Sequence, residues 1–78
     1  MGKKEKLLRI LKEINPDVEY ETETALVDDG IFDSLEVMTI VTDIEDVFRV
    51  SIDPEEVIAE NFNSLEMMLK LIDKTLEQ

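Results

Sequence analysis

The sequence contains no cysteine and no histidine, and that limits its chemistry more than anything it does contain. A serine nucleophile is normally activated by a neighbouring base, most often histidine, so catalysis by the chain itself is not expected. Disulfides are excluded, and the commonest zinc sites lack their usual ligands. No glycine-rich phosphate loop is present. Asp28-Asp29-Gly30 followed by Glu36 looks like part of a calcium loop. With Gly30 at the turn position and Glu36 at the last, Ala25 and Val27 fall where side-chain ligands are needed. The calcium reading therefore fails.

One hydroxyl remains of interest. Ser34 lies where a long acidic stretch meets the start of a helical pattern. Unpaired amides and the macrodipole at a helix N-terminus favour a phosphate. The plain alternative is a helix cap, and Ser64 is its control, because Asn63-Ser64-Leu65-Glu66 nearly repeats Asp33-Ser34-Leu35-Glu36 without the long stretch before it. The four residues alone favour capping.

The elements that must position Ser34 can be read from apolar spacing. Leu7, Leu8, Leu11 and Ile14 form a stripe from about Lys3 to Ile14, and Asn15-Pro16 stops that helix. Residues 17–32 predict a long loop, and long loops in compact folds tend to be functional. Val18, Tyr20, Ala25, Leu26, Val27, Ile31 and Phe32 would pin it across the bundle, and Gly30 marks a sharp turn. A capping-box pattern at Asp33 to Glu36 opens the second helix. Its stripe is Val37 or Met38, Val41, Ile44 and Phe48, widened by Ile40 and Val47. Asp53-Pro54-Glu55-Glu56 predicts a short third helix, capped by Asp53 and ending near Ala59 or Glu60. The fourth opens at Asn63-Ser64 and buries Leu65, Met68 or Leu69, Ile72 and Leu76. The expectation is one all-α domain over residues 1–78: a four-helix bundle of three longer helices and one short, with a long loop between the first two.

Charge narrows the partners. The chain carries 20 acidic and 8 basic residues, a formal net charge of −12. Phosphate backbones and anionic membrane surfaces would repel it, whereas basic protein surfaces would attract it. The charge is uneven: five bases lie at Lys3, Lys4, Lys6, Arg9 and Lys12, and Glu13 to Phe48 holds 12 acids and no base. No signal, lipidation or spanning segment is found, so a cytoplasmic protein is expected.

Taken together, Gly30-Ile31-Phe32-Asp33-Ser34-Leu35-Glu36, the amphipathic stretch after it and the Ile52-Asp53-Pro54-Glu55-Glu56 segment resemble acyl carrier proteins around their phosphopantetheine attachment site. The resemblance covers most of the chain. It implies that a phosphopantetheinyl transferase moves 4'-phosphopantetheine from coenzyme A onto Ser34, and that the arm's thiol bears cargo as a thioester. A thioester carrier without cysteine needs its thiol delivered in this way. The resemblance further implies that Asp33 assists transferase recognition and that Leu35 is an exposed apolar contact beside the arm. Glu36, Glu45 and Asp46, joined by Glu55 and Glu56, would form an acidic face for loading enzymes and downstream transferases with basic docking surfaces. A monomer is expected.

Departures from the fatty-acid type concern Phe32, where a small residue is common, and Thr39 and Thr42, where Glu and Met are typical. Gly-Ile-Phe-Asp-Ser is closer to the string of D-alanyl and other aminoacyl carriers, so a dedicated pathway is as well supported as the fatty-acid cycle. The competing reading from another class is an acidic helical adaptor that binds a basic partner and is never modified.

Overall fold

A computed structural model describes residues 2–77. Among the described residues there is no strand. The elements are α1 (Lys3–Ile14), α2 (Ser34–Phe48), a 3₁₀ turn (Pro54–Glu56), α3 (Ala59–Phe62) and α4 (Leu65–Leu76). α1 packs against both α2 and α4, and α3 packs on α4. None of these helices is long and apolar enough to cross a membrane.

The core explains the stripes and shifts one of them. Leu7, Ile10 and Leu11 are the buried residues of α1, while Leu8 and Ile14 are only half-buried. The buried face therefore turns towards Ile10, because α1 must serve two helices rather than one. α2 buries Val37, Ile40, Val41 and Ile44 and leaves Met38 and Val47 exposed. α4 buries Leu65, Met68, Leu71 and Ile72, whereas Leu76, expected inside, is exposed in the last turn.

The long loop is anchored rather than loose. Tyr20, Leu26 and Phe32 are buried, and each such side chain contributes roughly 1.5–3 kcal/mol. The Tyr20 and Phe32 rings stack with centroids 6.1 Å apart. The Tyr20 hydroxyl lies 2.9 Å from the Leu11 carbonyl and 2.7 Å from that of Asn15, so it supplies a donor to the unsatisfied end of α1. Burial first, then the charge of Glu36, push the Tyr20 phenol up to about 12.

The third helix differs from expectation. Asp53 caps as predicted, its carboxylate accepting from the Glu55 amide at 2.9 Å. Only the 3₁₀ turn follows, however: Val57 has ψ 74° and Ile58 is extended, and α3 starts afresh at Ala59. The adjacent β-branched Val57 and Ile58 favour extended backbone. Asn61 Nδ2 donates to the Glu56 carbonyl at 2.8 Å, supplying the bond that a continuing helix would have made. The end of α2 also requires explanation. Arg49 closes it in the left-handed region at φ 57°, where glycine is the usual choice.

Candidate functional site

The site is built around the first turn of α2. Asp33 Oδ1 accepts from the Glu36 amide at 2.8 Å, and the Asp33 amide donates to Glu36 Oε1 at 3.1 Å, completing a reciprocal capping box. Asp33 therefore takes the cap, and Ser34 becomes the first helical residue, exposed to solvent. Among the described residues its hydroxyl has no hydrogen-bond partner. Ser64 does the opposite. Its Oγ accepts from the Met67 amide at 3.1 Å and caps α4. The two similar strings thus differ by one register: the polar residue before Ser34 caps, whereas Asn63 does not. Asn63 has helical backbone at φ −74°, and its side chain is engaged with residues 27 and 28.

The approach to Ser34 is a closed turn. Phe32 N–H donates to the Leu26 carbonyl at 2.9 Å, Asp29 N–H to Ala25 at 2.8 Å and Gly30 N–H to Val27 at 3.0 Å. Gly30 has φ +76°, with open space where a side chain would project. Its backbone conformation therefore selects glycine, not any close approach.

Ser34 opens onto a cleft of about 320 Å³. Val27 from the loop, Val37 and Met38 from α2, Val57 and Ile58 from the break before α3, and Ala59 at the start of α3 complete its lining. Leu35 is 79% exposed, Met38 52% and Ile58 50%, so uncovered apolar side chains surround the serine. The Thr39 and Thr42 hydroxyls turn back onto the carbonyls of Leu35 and Met38, each at 3.0 Å, and add no outward donor here. A larger hollow of about 480 Å³ lies between α1 and α2, lined by Lys6, Arg9, Asp43 and Asp46 among others. It begins more than two helical turns along α2 from Ser34.

The remaining candidate residues separate into two groups. Glu36 belongs to the capping box. Glu45 is half-buried, and its Oε2 accepts from the Ile52 amide at 2.8 Å, fastening the chain after α2. Glu56 accepts from Lys74 Nζ at 2.8 Å and from Asn61 Nδ2 at 3.2 Å, which joins the 3₁₀ turn to α4. The Lys74 ammonium, through that bond and its charge, holds the Glu56 carboxyl below the usual carboxylate range. Asp46 and Glu55 are exposed. Reading the sequence missed Val27, Ile58 and Asn63. The first two reach the site only because the loop and the break before α3 converge there, and the bonds of Asn63 span 35 positions or more.

The site accommodates a phosphate-linked group. Ser34 Oγ is accessible, the cap does not use it, and among the described residues the Ser34 and Leu35 amides have no acceptor within the chain. Asp33 and Glu36 would repel a free anion, so a phosphate is held here far better by a covalent bond than by affinity.

Comparison with known proteins gives the family. Residues 4–72 match the family model described as phosphopantetheine attachment site. No curated protein and no solved structure matches the chain. Carrier domains of this kind are not themselves catalytic, and they work with a phosphopantetheinyl transferase and with biosynthetic enzymes. The chain belongs to the phosphopantetheine-attachment family, a carrier whose cofactor is covalently bound 4'-phosphopantetheine.

Proposed function

We propose that Ser34 is the attachment residue and that the chain is a stand-alone carrier, without enzyme activity of its own, for an acyl or aminoacyl group. One observation carries this reading: the hydroxyl of Ser34 is exposed, and unbonded among the described residues, at the first helical position because Asp33 has taken the cap. Ser34 would hold the arm as a phosphodiester through Oγ. The Ser34 and Leu35 amides would be available as donors to its phosphate, and the apolar cleft beside Ser34 would offer the arm a surface to lie against. When attached, the arm supplies the thiol that the sequence lacks. The chain has no histidine, so the base that takes the hydroxyl proton during attachment comes from the transferase.

The exposed apolar side chains of Leu35, Met38 and Ile58, with exposed carboxylates at Glu55 and, further along α2, at Asp46, support docking by enzymes that pair an apolar contact with basic residues. Thr39 and Thr42, with hydroxyls turned inward to the helix, give this face a different character from the Glu and Met of fatty-acid carriers. That favours a dedicated acyl or aminoacyl pathway, D-alanyl transfer being one of its kind. We place the protein in the cytoplasm as a monomer, alongside coenzyme A and the transferase.

The test is intact mass after incubation with coenzyme A and a broad-specificity phosphopantetheinyl transferase. The wild-type chain and Ser64→Ala gain the mass of one arm, and Ser34→Ala gains none. A chain that stays unmodified while a control carrier is modified would instead be an acidic adaptor.

A further inference from the structure

Asn63 makes an unusual set of contacts for a residue at a helix junction. Its Oδ1 accepts from the Val27 amide at 2.9 Å and the Asp28 amide at 3.0 Å. Its Nδ2 donates to Asp28 Oδ2 at 3.0 Å. Its backbone carbonyl accepts from the Leu26 amide at 2.9 Å. All four bonds reach the turn that precedes Ser34, and Leu26 in turn holds the Phe32 amide. A continuous hydrogen-bonded route therefore runs from the α3–α4 junction through Leu26 and Phe32 to the residue before the capping box. Asn63 also lies at the end of α3, whose first residue, Ala59, lines the cleft together with Val27. The Asn63 side chain thus fastens the Val27 side of the cleft, and its backbone closes the short helix that starts at Ala59.

We propose that Asn63 is a positioning residue for Ser34, holding the preceding turn and the cleft wall in the arrangement that the arm-transfer reaction requires. This rests on Ser34 being the attachment residue. Side-chain capping of α4 by Asn63 is excluded by its helical backbone and by Ser64, which holds that cap. Docking through the exposed face of α2 does not involve Asn63. A displaced turn should therefore slow the reaction without weakening the encounter.

The experiment measures kcat and KM for arm transfer to the full chain, together with amide hydrogen exchange. Asn63→Asp retains the acceptor, loses the Nδ2 donor and sets a second carboxylate against Asp28. We expect kcat to fall about tenfold with KM unchanged, and the Val27 and Asp28 amides to exchange at least about tenfold faster while Val41 and Ile44 keep their protection. Adding Asp28→Asn reverses donor and acceptor across the same contact, and should restore both kcat and exchange to within about twofold of wild type. Asn63→Ser, which withdraws the side chain without adding charge, replaces Asn63→Asp if that variant does not fold, with the same loss expected. Wild-type kcat in either folded single variant would overturn the proposal. So would a double variant that recovers slow exchange but not kcat. Failure of the wild-type chain to be modified at all would overturn the Ser34 reading, and it is seen before any Asn63 variant is measured.

Discussion

Asp33 is expected to have two separable roles, and two substitutions at one position can part them. Asp33→Ala removes the acceptor of the Glu36 amide and breaks the capping box. Loss of a cap costs about 1 kcal/mol, and losing a negative charge at the N-terminus of α2 adds about 0.3–1 kcal/mol. Relief of repulsion in a chain of net charge −12 offsets part of the second term. For a domain this size, 1 kcal/mol shifts Tm by about 4–8 °C, so Asp33→Ala should melt roughly 5–12 °C lower. Asp33→Asn retains a good cap and loses only the charge, so its Tm should stay within about 3 °C of wild type. Thermal melts followed by circular dichroism give both values, and the same samples serve for the rate of arm transfer. If the carboxylate is read by the transferase, Asp33→Asn is modified slowly despite its near-normal Tm. If Asp33 only caps, Asp33→Asn is modified normally and Asp33→Ala slowly. An unchanged Tm in Asp33→Ala would refute the capping argument, and with it the reason given for the free hydroxyl of Ser34.

Two further predictions concern stability. Arg49 holds φ 57°, a region costing a non-glycine residue about 1–2 kcal/mol; Arg49→Gly should raise stability by about 0.5–1 kcal/mol after the greater freedom of glycine in the unfolded chain is subtracted, as measured by urea unfolding. A fall in stability would mean that the Arg49 side chain contributes more than its backbone costs. The Tyr20 phenol is raised in the folded state, from 10.0 to about 12, so its contribution is complete below the unfolded value and is lost as pH rises through the folded one. Tyr20→Phe should cost about 1 kcal/mol at neutral pH through the lost hydroxyl bonds, and should lose less stability than wild type between about pH 10 and 12. Parallel pH profiles for the two proteins would contradict this.

The elements were legible from the sequence where one local rule governed them. Asn15-Pro16 stops α1, and the box at Asp33 and Glu36 starts α2, because each depends on residues within a single turn. The boundary between 3₁₀ turn and α3 was not legible, because Asp53-Pro54 is a correct start signal whose helix is ended by Val57 and Ile58 and by an Asn61 bond. The buried face of α1 takes Ile10 rather than Leu8: both are compatible with helical spacing beside Leu7 and Leu11, and only contact with two neighbouring helices selects Ile10. At the site, Ser34 could be singled out but its freedom could not. Asp33-Ser and Asn63-Ser look alike in sequence, and what distinguishes them is that Asn63 is occupied by a loop 35 positions away.

That same occupancy changes what the acidic composition means. Counting carboxylates suggests a broad negative face, yet Glu36, Glu45 and Glu56 hold a helix start, a helix exit and the turn before α3. Lys3 and Lys4 are likewise committed, to Asp73 and Glu21. A partner approaching the Ser34 end of α2 therefore meets few uncommitted charges there, and a cluster of uncovered apolar side chains at Leu35, Met38 and Ile58. Exposed charges at this spacing steer an encounter and are screened by salt, whereas apolar contact in the centre of an interface is not. It follows that salt should slow association of such a partner more than it hastens release, and that removing Leu35 should do the reverse.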